Sequence, residues 1–282
     1  MKVGYLGPQG TFTEQAVLKI ADVSETIPFS TIWEVIEAVE NGKIDKCVVP
    51  IENSTEGSIN VTLDSMIFDT NLYIQGQINL PIEQNLMIKG STNEKKISKI
   101  FSHPQALAQC RKFLEKNYPN IETVNTNSTA DAGKLISSSD EPWAAIGLSR
   151  VSELYGLKIL NKAIQDNNKN FTMFAILSKE DTRYCFDKKK VSIAFSTDNK
   201  PGTLVKILNL FEIWDLNMIK IISRPLRNKS EEYVFFADIE IGTSENDIKN
   251  CLDMVERKTS FFKNLGAYEV YDYRWNVLYY VV

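Results

Sequence analysis

Strand-like and helix-like segments alternate through the first 180 residues, and this alternation constrains the fold more strongly than any other feature. Short apolar runs at 2–6, 26–29 and 47–51 are typical of strands, whereas residues 31–41 carry their apolar side chains on one helical face. Because this order is typical of helices packed on a largely parallel sheet, the sequence predicts an α/β fold. A strand predicted at 171–177, after a second α/β block, indicates two lobes with a cleft between them.

The alternation stops at a charge-rich segment that contains three consecutive lysines, residues 181–190. From 191 to 271 the predicted elements run strand, helix, strand, strand, helix, strand, which is the ferredoxin-like βαββαβ order. A chain of 282 residues is long enough for two domains at about 150 residues each. We therefore predict a linker at 181–190 and a second domain at 191–272. The aromatic tail, 273–282, either covers a sheet edge or a partner chain, or is simply a packed terminus.

Composition excludes several function classes. The formal net charge is −4, which gives no indication of nucleic acid as a partner. Four scattered cysteines without a Cys-x-x-Cys pair, together with a single histidine, argue against a metal site. No apolar run approaches the roughly 20 residues that cross a bilayer, and the first residues resemble a strand and a turn rather than a signal peptide. We expect a cytoplasmic protein with reduced thiols and no membrane partner.

Residues 48–58 place a loop rich in hydroxyl groups between an apolar strand and a predicted helix. The first turn of a helix has unpaired N–H groups and a positive dipole end, so this loop is a candidate site for a carboxylate or phosphate. It is equally consistent with an ordinary strand-to-helix loop that carries a capping serine. Ligands of open α/β sheets bind beyond the strand ends, where helix starts converge. The predicted helix starts that carry a hydroxyl are at Thr11, at Ser54 or Ser58, at Ser102, and at Ser128 or Thr129.

Four segments of the chain resemble the prephenate dehydratase family. They are residues 4–12 (GYLGPQGTF), 50–58 (PIENSTEGS), 102–110 (SHPQALAQC) and 153–157 (ELYGL). The unit from 191 to 271 resembles the ACT regulatory domain that is attached to this enzyme. The resemblance covers almost the whole chain apart from the tail, and it rests on four ordered motifs together with the second domain.

The resemblance implies a periplasmic-binding-protein-like catalytic domain at 1–180 and an ACT domain after it. Lobe one is expected at about 1–76 plus 164–180, and lobe two at about 77–163. The implied reaction is the decarboxylating dehydration of prephenate to phenylpyruvate, in L-phenylalanine biosynthesis. Aromatisation supplies much of the driving force, so no cofactor is implied. The family binds phenylalanine between two ACT domains, which implies feedback control and a dimer or tetramer. The resemblance does not distinguish prephenate from arogenate as the preferred substrate.

The resemblance also implies site residues. The family's catalytic threonine, in a Thr-Arg-Phe motif, corresponds to Thr172, whose hydroxyl is expected to polarise the departing hydroxyl of the substrate. The implied substrate-binding residues are Gly10, Thr11, Asn53, Ser54, Gly57, Ser102, His103, Gln105, Ser128, Thr129 and Phe174. The implied effector-binding residues are Pro201, Gly202, Thr203, Leu204, Asn217, Ser223, Arg224 and Pro225.

Two positions depart from the family's motifs. Met173 replaces the arginine of Thr-Arg-Phe, and Ile222 replaces the acid of Glu-Ser-Arg-Pro. The first change would remove a cation from a doubly charged substrate, for which Arg150, Lys169 or Arg183 could compensate. If the position faces the cleft, Met173→Arg should improve substrate binding. The second change could weaken control by phenylalanine, but feedback inhibition is expected to survive. An alternative hypothesis is a non-catalytic sensor of aromatic acids or amino acids that keeps the cleft and the ACT domain.

Overall fold

The computed structural model describes residues 1–227, 232–242 and 244–274, so residues 275–282 of the predicted tail lie outside the described part. Its strands confirm the α/β class. In chain order, β1 to β15 are Lys2–Leu6, Glu25–Phe29, Lys46–Asn53, Gly57–Ser58, Tyr73–Pro81, Asn85–Lys89, Lys99–Ser102, Glu122–Asn125, Trp143–Gly147, Leu157–Asn161, Phe171–Ser178, Lys190–Ser196, Met218–Pro225, Tyr233–Glu240 and Phe261–Asp272.

Helices connect most of these strands. In chain order, α1 to α9 are Phe12–Val17, Ile32–Glu40, Asn60–Asp64, Pro104–Gln109, Arg111–Asn117, Thr129–Ser137, Ser149–Tyr155, Thr203–Ile213 and Glu245–Lys258. A π-helical turn, Ser65–Asp69, continues α3, and a short 3-10 turn lies at Glu94–Lys96. Within the described ranges, no helix is both long and apolar enough to span a membrane.

The described strands form two sheets, and the lobe boundary predicted at 76/77 falls inside β5. The five-stranded sheet has the order β10-β6-β9-β7-β8, and with α4 to α7 it forms the body that we call lobe two. The larger sheet has the order β13-β14-β12-β15-β5-β11-β3-β1-β2, with β4 paired to β3. Strands β1 to β5 and β11, with α1 to α3, form lobe one. Strands β12 to β15, with α8 and α9, form the βαββαβ unit. The unit's strand order and antiparallel pairing confirm the predicted ferredoxin-like topology.

Two segments of the chain cross between the lobes, and they lie side by side. The chain enters lobe two between β5 and β6 and returns between β10 and β11. The two crossing segments are hydrogen-bonded to each other, because Ile82 N donates to the Asn170 oxygen at 3.0 Å and Ile164 N donates to the Gln84 oxygen at 2.8 Å. The second crossing therefore places β11, which contains Thr172, at the junction of the lobes.

Strand β15 joins the βαββαβ unit to lobe one. Residues 261–268 pair antiparallel with β12, and the last four residues pair in parallel with β5. Gly266, with φ at +114°, and the register shift beside it form a kink shortly before this change of partner. A hydrophobic core is shared across this junction, since Leu63 and Met66 of lobe one pack in the same cluster as Phe236 and Leu265 of the unit. Lobe one and the unit therefore form one packed body.

Candidate active site

Thr172 lies at the start of β11 and is held by Asn53 at the end of β3. The two residues are paired in register, and Asn53 Nδ2 donates to Thr172 Oγ1 at 2.9 Å. Both side chains are buried. In this hydrogen bond the Thr172 oxygen is the acceptor, so the hydrogen of the Thr172 hydroxyl remains available for donation to another group. Thr172 is therefore oriented as a donor.

Asn170 and Ser54 fasten the two strand ends together. Ser54 Oγ donates to Asn170 Oδ1 at 3.1 Å and accepts from Phe171 N at 3.0 Å. Thr55 Oγ1 donates to the same Asn170 oxygen at 3.1 Å. The predicted importance of Ser54 thus has a physical basis in fixing the segment just before Thr172. Asn170 was missed at the sequence level, although it lies two residues before Thr172 and hence on the same face of an extended chain.

The loop 53–58 is not an open anion site. Asn53 Oδ1 accepts from Thr55 N at 2.9 Å and from Glu56 N at 3.2 Å, so these amides are already paired. The prediction that Ser54 or Ser58 caps the next helix is wrong, because α3 begins after Ile59 without a side-chain cap. Gly57 pairs in register with Asn53 and has φ at +86°, so its backbone geometry brings the loop back onto β3.

Lobe two brings its predicted residues together at the carboxyl ends of β7 and β8. Ser128 caps α6 as predicted, since its hydroxyl accepts from Asp131 N at 2.9 Å, and Thr129 is the first residue of that helix. The sequence predicts no role for Thr126. Its backbone N donates to the Ser102 oxygen at 2.9 Å and so connects the two strand ends. These residues form the lobe-two side of the candidate groove.

The prediction that Ser102 caps a helix is wrong. Ser102 is fully buried, and its hydroxyl donates to the Ile146 oxygen at 2.7 Å. The cap of α4 is instead His103, whose Nδ1 accepts from Gln105 N at 3.3 Å. A serine before His-Pro could not be distinguished from a cap by sequence, because the strand partner that takes its hydroxyl is remote in the chain. His103 and Gln105 are each partly exposed at this helix start.

The lobes touch at the turn after β1. A Cβ atom added to Gly10 would lie 3.2 Å from Ala130 Cβ and 3.3 Å from Val151 Cγ2, both in lobe two. Gly10 also has φ at +83°, so glycine suits both its backbone and its close packing. Thr11 caps α1 as predicted, with Glu14 N donating to its hydroxyl at 3.4 Å. The Glu14 carboxylate completes the cap by accepting from Gly10 N at 2.6 Å.

Two buried polar groups and one half-buried cation lie beside this turn. Glu14 Oε2 lies 3.8 Å from Nε of Arg150 in lobe two, and Tyr5 is fully buried nearby. Burial raises the pKa of the Tyr5 phenol well above its usual range, and the Glu14 carboxylate raises it further. Tyr5 is therefore neutral, and its buried hydroxyl has no hydrogen-bond partner among the described residues. Of the proposed compensating cations, Arg150 lies at the lobe boundary and is paired with Glu14 and Glu153, Arg183 pairs with Asp181, and Lys169 is exposed.

Neighbouring residues of β11 face opposite sides of the sheet. Phe174 is 1% exposed and packs with Val3, Tyr5 and Ile78, so a direct contact with substrate, as predicted for it, has no support in the structure. Met173 packs instead against the core shared with the βαββαβ unit. The condition that position 173 faces the cleft is therefore not met.

The predicted effector residues divide into two groups. Gly202, Thr203 and Leu204 line a cavity of about 190 Å³ that also contacts Tyr233 and Phe235. Pro201 lies in the same exposed loop. The C-terminal end of β13 adjoins this cavity, since Ser223 pairs with Phe235 and Pro225 pairs with Tyr233.

The remaining effector residues have other contacts. Asn217 precedes the opposite end of β13, where its Nδ2 donates to Glu240 Oε2 at 2.6 Å. Arg224 points towards lobe one and forms a bidentate pair with Asp64, with both N–O distances at 2.7 Å. One chain therefore does not bring all eight predicted residues into one site.

A family model described as prephenate dehydratase matches residues 3–182. The chain is 40% identical over 269 residues to the bifunctional chorismate mutase/prephenate dehydratase of Aquifex aeolicus, covering 95% of this chain and 73% of that protein. It is 38% identical over 276 residues to the prephenate dehydratase of Lactococcus lactis subsp. cremoris, covering 96% and 98%. The crystal structure of the Arthrobacter aurescens prephenate dehydratase in complex with L-Phe matches with a TM-score of 0.85 at 29% identity, covering 95% of this chain and 90% of that one.

Proposed function

The chain belongs to the prephenate dehydratase family, and on that premise we propose that it converts prephenate to phenylpyruvate, water and carbon dioxide. The observation that carries the proposal is the buried hydrogen bond between Asn53 and Thr172 at the junction of the lobes. It supports a threonine hydroxyl held in one orientation with its hydrogen free to be donated.

In this mechanism Thr172 acts on the departing ring hydroxyl. The bond between the ring and its carboxylate breaks, and its electrons enter the ring as carbon dioxide leaves. The ring becomes aromatic as the carbon–oxygen bond breaks, and the departing hydroxide takes up one proton to become water. A threonine hydroxyl is too weak an acid to give up its proton freely, so Thr172 stabilises the developing charge by a hydrogen bond. No redox step occurs.

The substrate groove is assigned to the two half-sites described above. Gly10, Thr11, Asn53 and Gly57 belong to the side of lobe one, and His103, Gln105, Ser128 and Thr129 belong to the side of lobe two. Ser54 and Ser102 act indirectly in this assignment, because their hydroxyls are engaged within the protein. Arg150, at the lobe boundary, is the cation assigned to a substrate carboxylate.

The assignment is tested by following phenylpyruvate formation from prephenate and, separately, from arogenate, with purified protein. We expect turnover with prephenate, and the ratio of the two kcat/KM values shows which substrate is preferred. If folded protein forms no product at millimolar prephenate, the enzyme assignment is contradicted and the sensor hypothesis is favoured. The departure from the family motif at Met173 does not favour a sensor, because this side chain packs against the core shared with the βαββαβ unit.

We also assign phenylalanine as the effector, bound between βαββαβ units of two copies. Strand β13 has eight residues and is therefore about 25 Å long, so Asn217 and the Gly202 cavity cannot share one ligand within a chain. Antiparallel pairing of two β13 edges would bring Asn217 of the partner subunit close to this cavity. The edge is apolar enough for such pairing, since Ile219 is 47% exposed and Ile221 is 43% exposed.

Phenylalanine control is tested by calorimetry and kinetics on the same preparation. We expect binding heat with phenylalanine and a lower rate of phenylpyruvate formation at saturation, since the effector must favour the less active state. Absence of both would contradict the effector assignment and leave the catalytic one intact. We assign the protein to the cytoplasm, where its four free thiols would stay reduced.

A further inference from the structure

Among the described residues, three ion pairs connect β13 and Arg227, just after it, to lobe one. In each pair the cation belongs to the βαββαβ unit and the acid belongs to lobe one. The pairs are Lys220 with Glu52, Arg224 with Asp64, and Arg227 with Asp69. Residues 220, 222 and 224 share one face of β13, which is the face turned towards lobe one.

The Lys220–Glu52 pair is well shielded. The Lys220 side chain is 16% exposed and that of Glu52 is 22% exposed, whereas Arg227 in the outermost pair is 51% exposed. The Lys220 ammonium group also lies 5.9 Å from the centre of the Phe236 ring. Charges that are shielded from water are screened less by salt, so this pair constrains its partners more strongly than an exposed pair does.

Glu52 is adjacent to the reacting strand. It pairs in register with Met173, while the next residue, Asn53, pairs with Thr172 and donates to its hydroxyl. The ladder between β3 and β11 is irregular at this point, with a register shift between Met173 and Phe174. A bulge interrupts the backbone pairing that normally fixes a strand, so side-chain contacts must help to hold Glu52 and Asn53 in place.

We propose that Lys220 is a positioning residue for Thr172, which acts by holding the Glu52 carboxylate so that Asn53 stays opposite the Thr172 hydroxyl. This role rests on the proposed dehydratase function and deepens it. It makes the βαββαβ unit a structural part of the active site, because Lys220 of that unit holds Glu52, and Glu52 is the neighbour of the Asn53 that orients Thr172.

The test compares variants of the full-length protein with prephenate as substrate. Lys220→Met removes the charge and keeps a linear apolar side chain beside Phe236. We expect kcat to fall about tenfold with KM within about twofold of wild type, because the Thr172 hydroxyl acts mainly in the transition state. Lys220→Arg should restore kcat to within about threefold of wild type, since it keeps the positive charge.

Glu52→Gln and the double variant show whether the two residues act together. Glu52→Gln should lower kcat as Lys220→Met does, and the double variant should be no slower than either single variant. The matched control is Arg227→Met, which breaks another ion pair between the same two bodies. It should leave kcat within about twofold of wild type even if the melting temperature falls.

Two results would overturn the proposal. One is a Lys220→Met variant with a lower melting temperature and an unchanged kcat, which would make the pair a structural cross-link only. The other is a double variant whose loss is the product of the two single losses, which would mean that the residues act independently. A wild-type protein that forms no phenylpyruvate would instead refute the proposed function, so the two failures are distinguishable.

Discussion

Side-chain direction on β11 separates residues that can act on the substrate from those that cannot. Thr172 and Met173 are neighbours in sequence, yet one is hydrogen-bonded to Asn53 and the other packs against the core shared with the βαββαβ unit. Because successive side chains of a strand point to opposite faces, a motif match at 172–174 does not give all three residues the same role. The arginine that the family has at position 173 therefore need not contact the substrate.

We predict that Met173→Arg does not improve substrate binding. The guanidinium group would enter the core shared by lobe one and the βαββαβ unit, so KM for prephenate should stay within about twofold of wild type. The free energy of unfolding should fall by about 1–3 kcal/mol, because a cation replaces a packed apolar side chain. Steady-state kinetics and urea denaturation measure the two effects. A clear fall in KM would show that position 173 faces the substrate after all.

Single residues also show where sequence reasoning stops. The caps by Thr11 and Ser128 could be predicted because a cap and its partner lie three residues apart. The hydroxyls of Ser54 and Ser102 could not be assigned, because their partners Asn170 and Ile146 are remote in sequence. A hydroxyl before a helix has several uses, and only the tertiary structure chooses among them.

At the scale of elements, β15 determines how the βαββαβ unit sits on lobe one. The strand pairs with β12 up to Tyr268 and then with β5 from Glu269, so the change of partner follows shortly after Gly266. The order of elements was predictable from periodicity, as was the βαββαβ unit itself. The sharing of one strand between two bodies was not, because its local pattern of alternation is that of any strand.

Gly266→Ala should therefore destabilise the protein. Its φ of +114° is unfavourable for alanine, and the added Cβ would lie 2.4 Å from Thr182 Oγ1 and 2.9 Å from the Ile74 oxygen. We expect a loss of about 2–4 kcal/mol in urea denaturation. Gly90→Ala is the control, because a Cβ there meets nothing within 4 Å, and it should change stability by less than about 0.5 kcal/mol. Equal stability of the two variants would mean that the kink is not required.

For the whole molecule, lobe one and the βαββαβ unit share a packed core, whereas lobe two joins them through the crossings at 81–85 and 161–171 and the contact at Gly10. The proposed control by phenylalanine would then act by changing the fit between lobe two and the larger body, or the position of Thr172 within it. Both routes need the βαββαβ units of two copies to respond together if the effector binds between them.

We predict that Ile221→Lys prevents the proposed pairing of two β13 edges and leaves the protein monomeric. Ile221 is exposed at the edge strand β13 on the face opposite Lys220 and Ile222, so the lysine would meet a like charge in an antiparallel pair of edges. The dissociation constant should rise at least about 100-fold in sedimentation analysis, and phenylalanine inhibition should be lost. Leu18→Lys, an exposed site on lobe one, should keep the wild-type mass. An unchanged mass for Ile221→Lys would place the interface elsewhere.

The account depends most directly on the Thr172 hydroxyl, and the turnover number of Thr172→Val measures its contribution. Valine keeps the shape and the strand preference of threonine but cannot donate to the departing hydroxyl. With prephenate as substrate, kcat should fall at least about 100-fold with KM within about threefold, while Thr172→Ser stays within about tenfold of wild type. A folded Thr172→Val protein that turns over within about threefold of wild type would contradict the account.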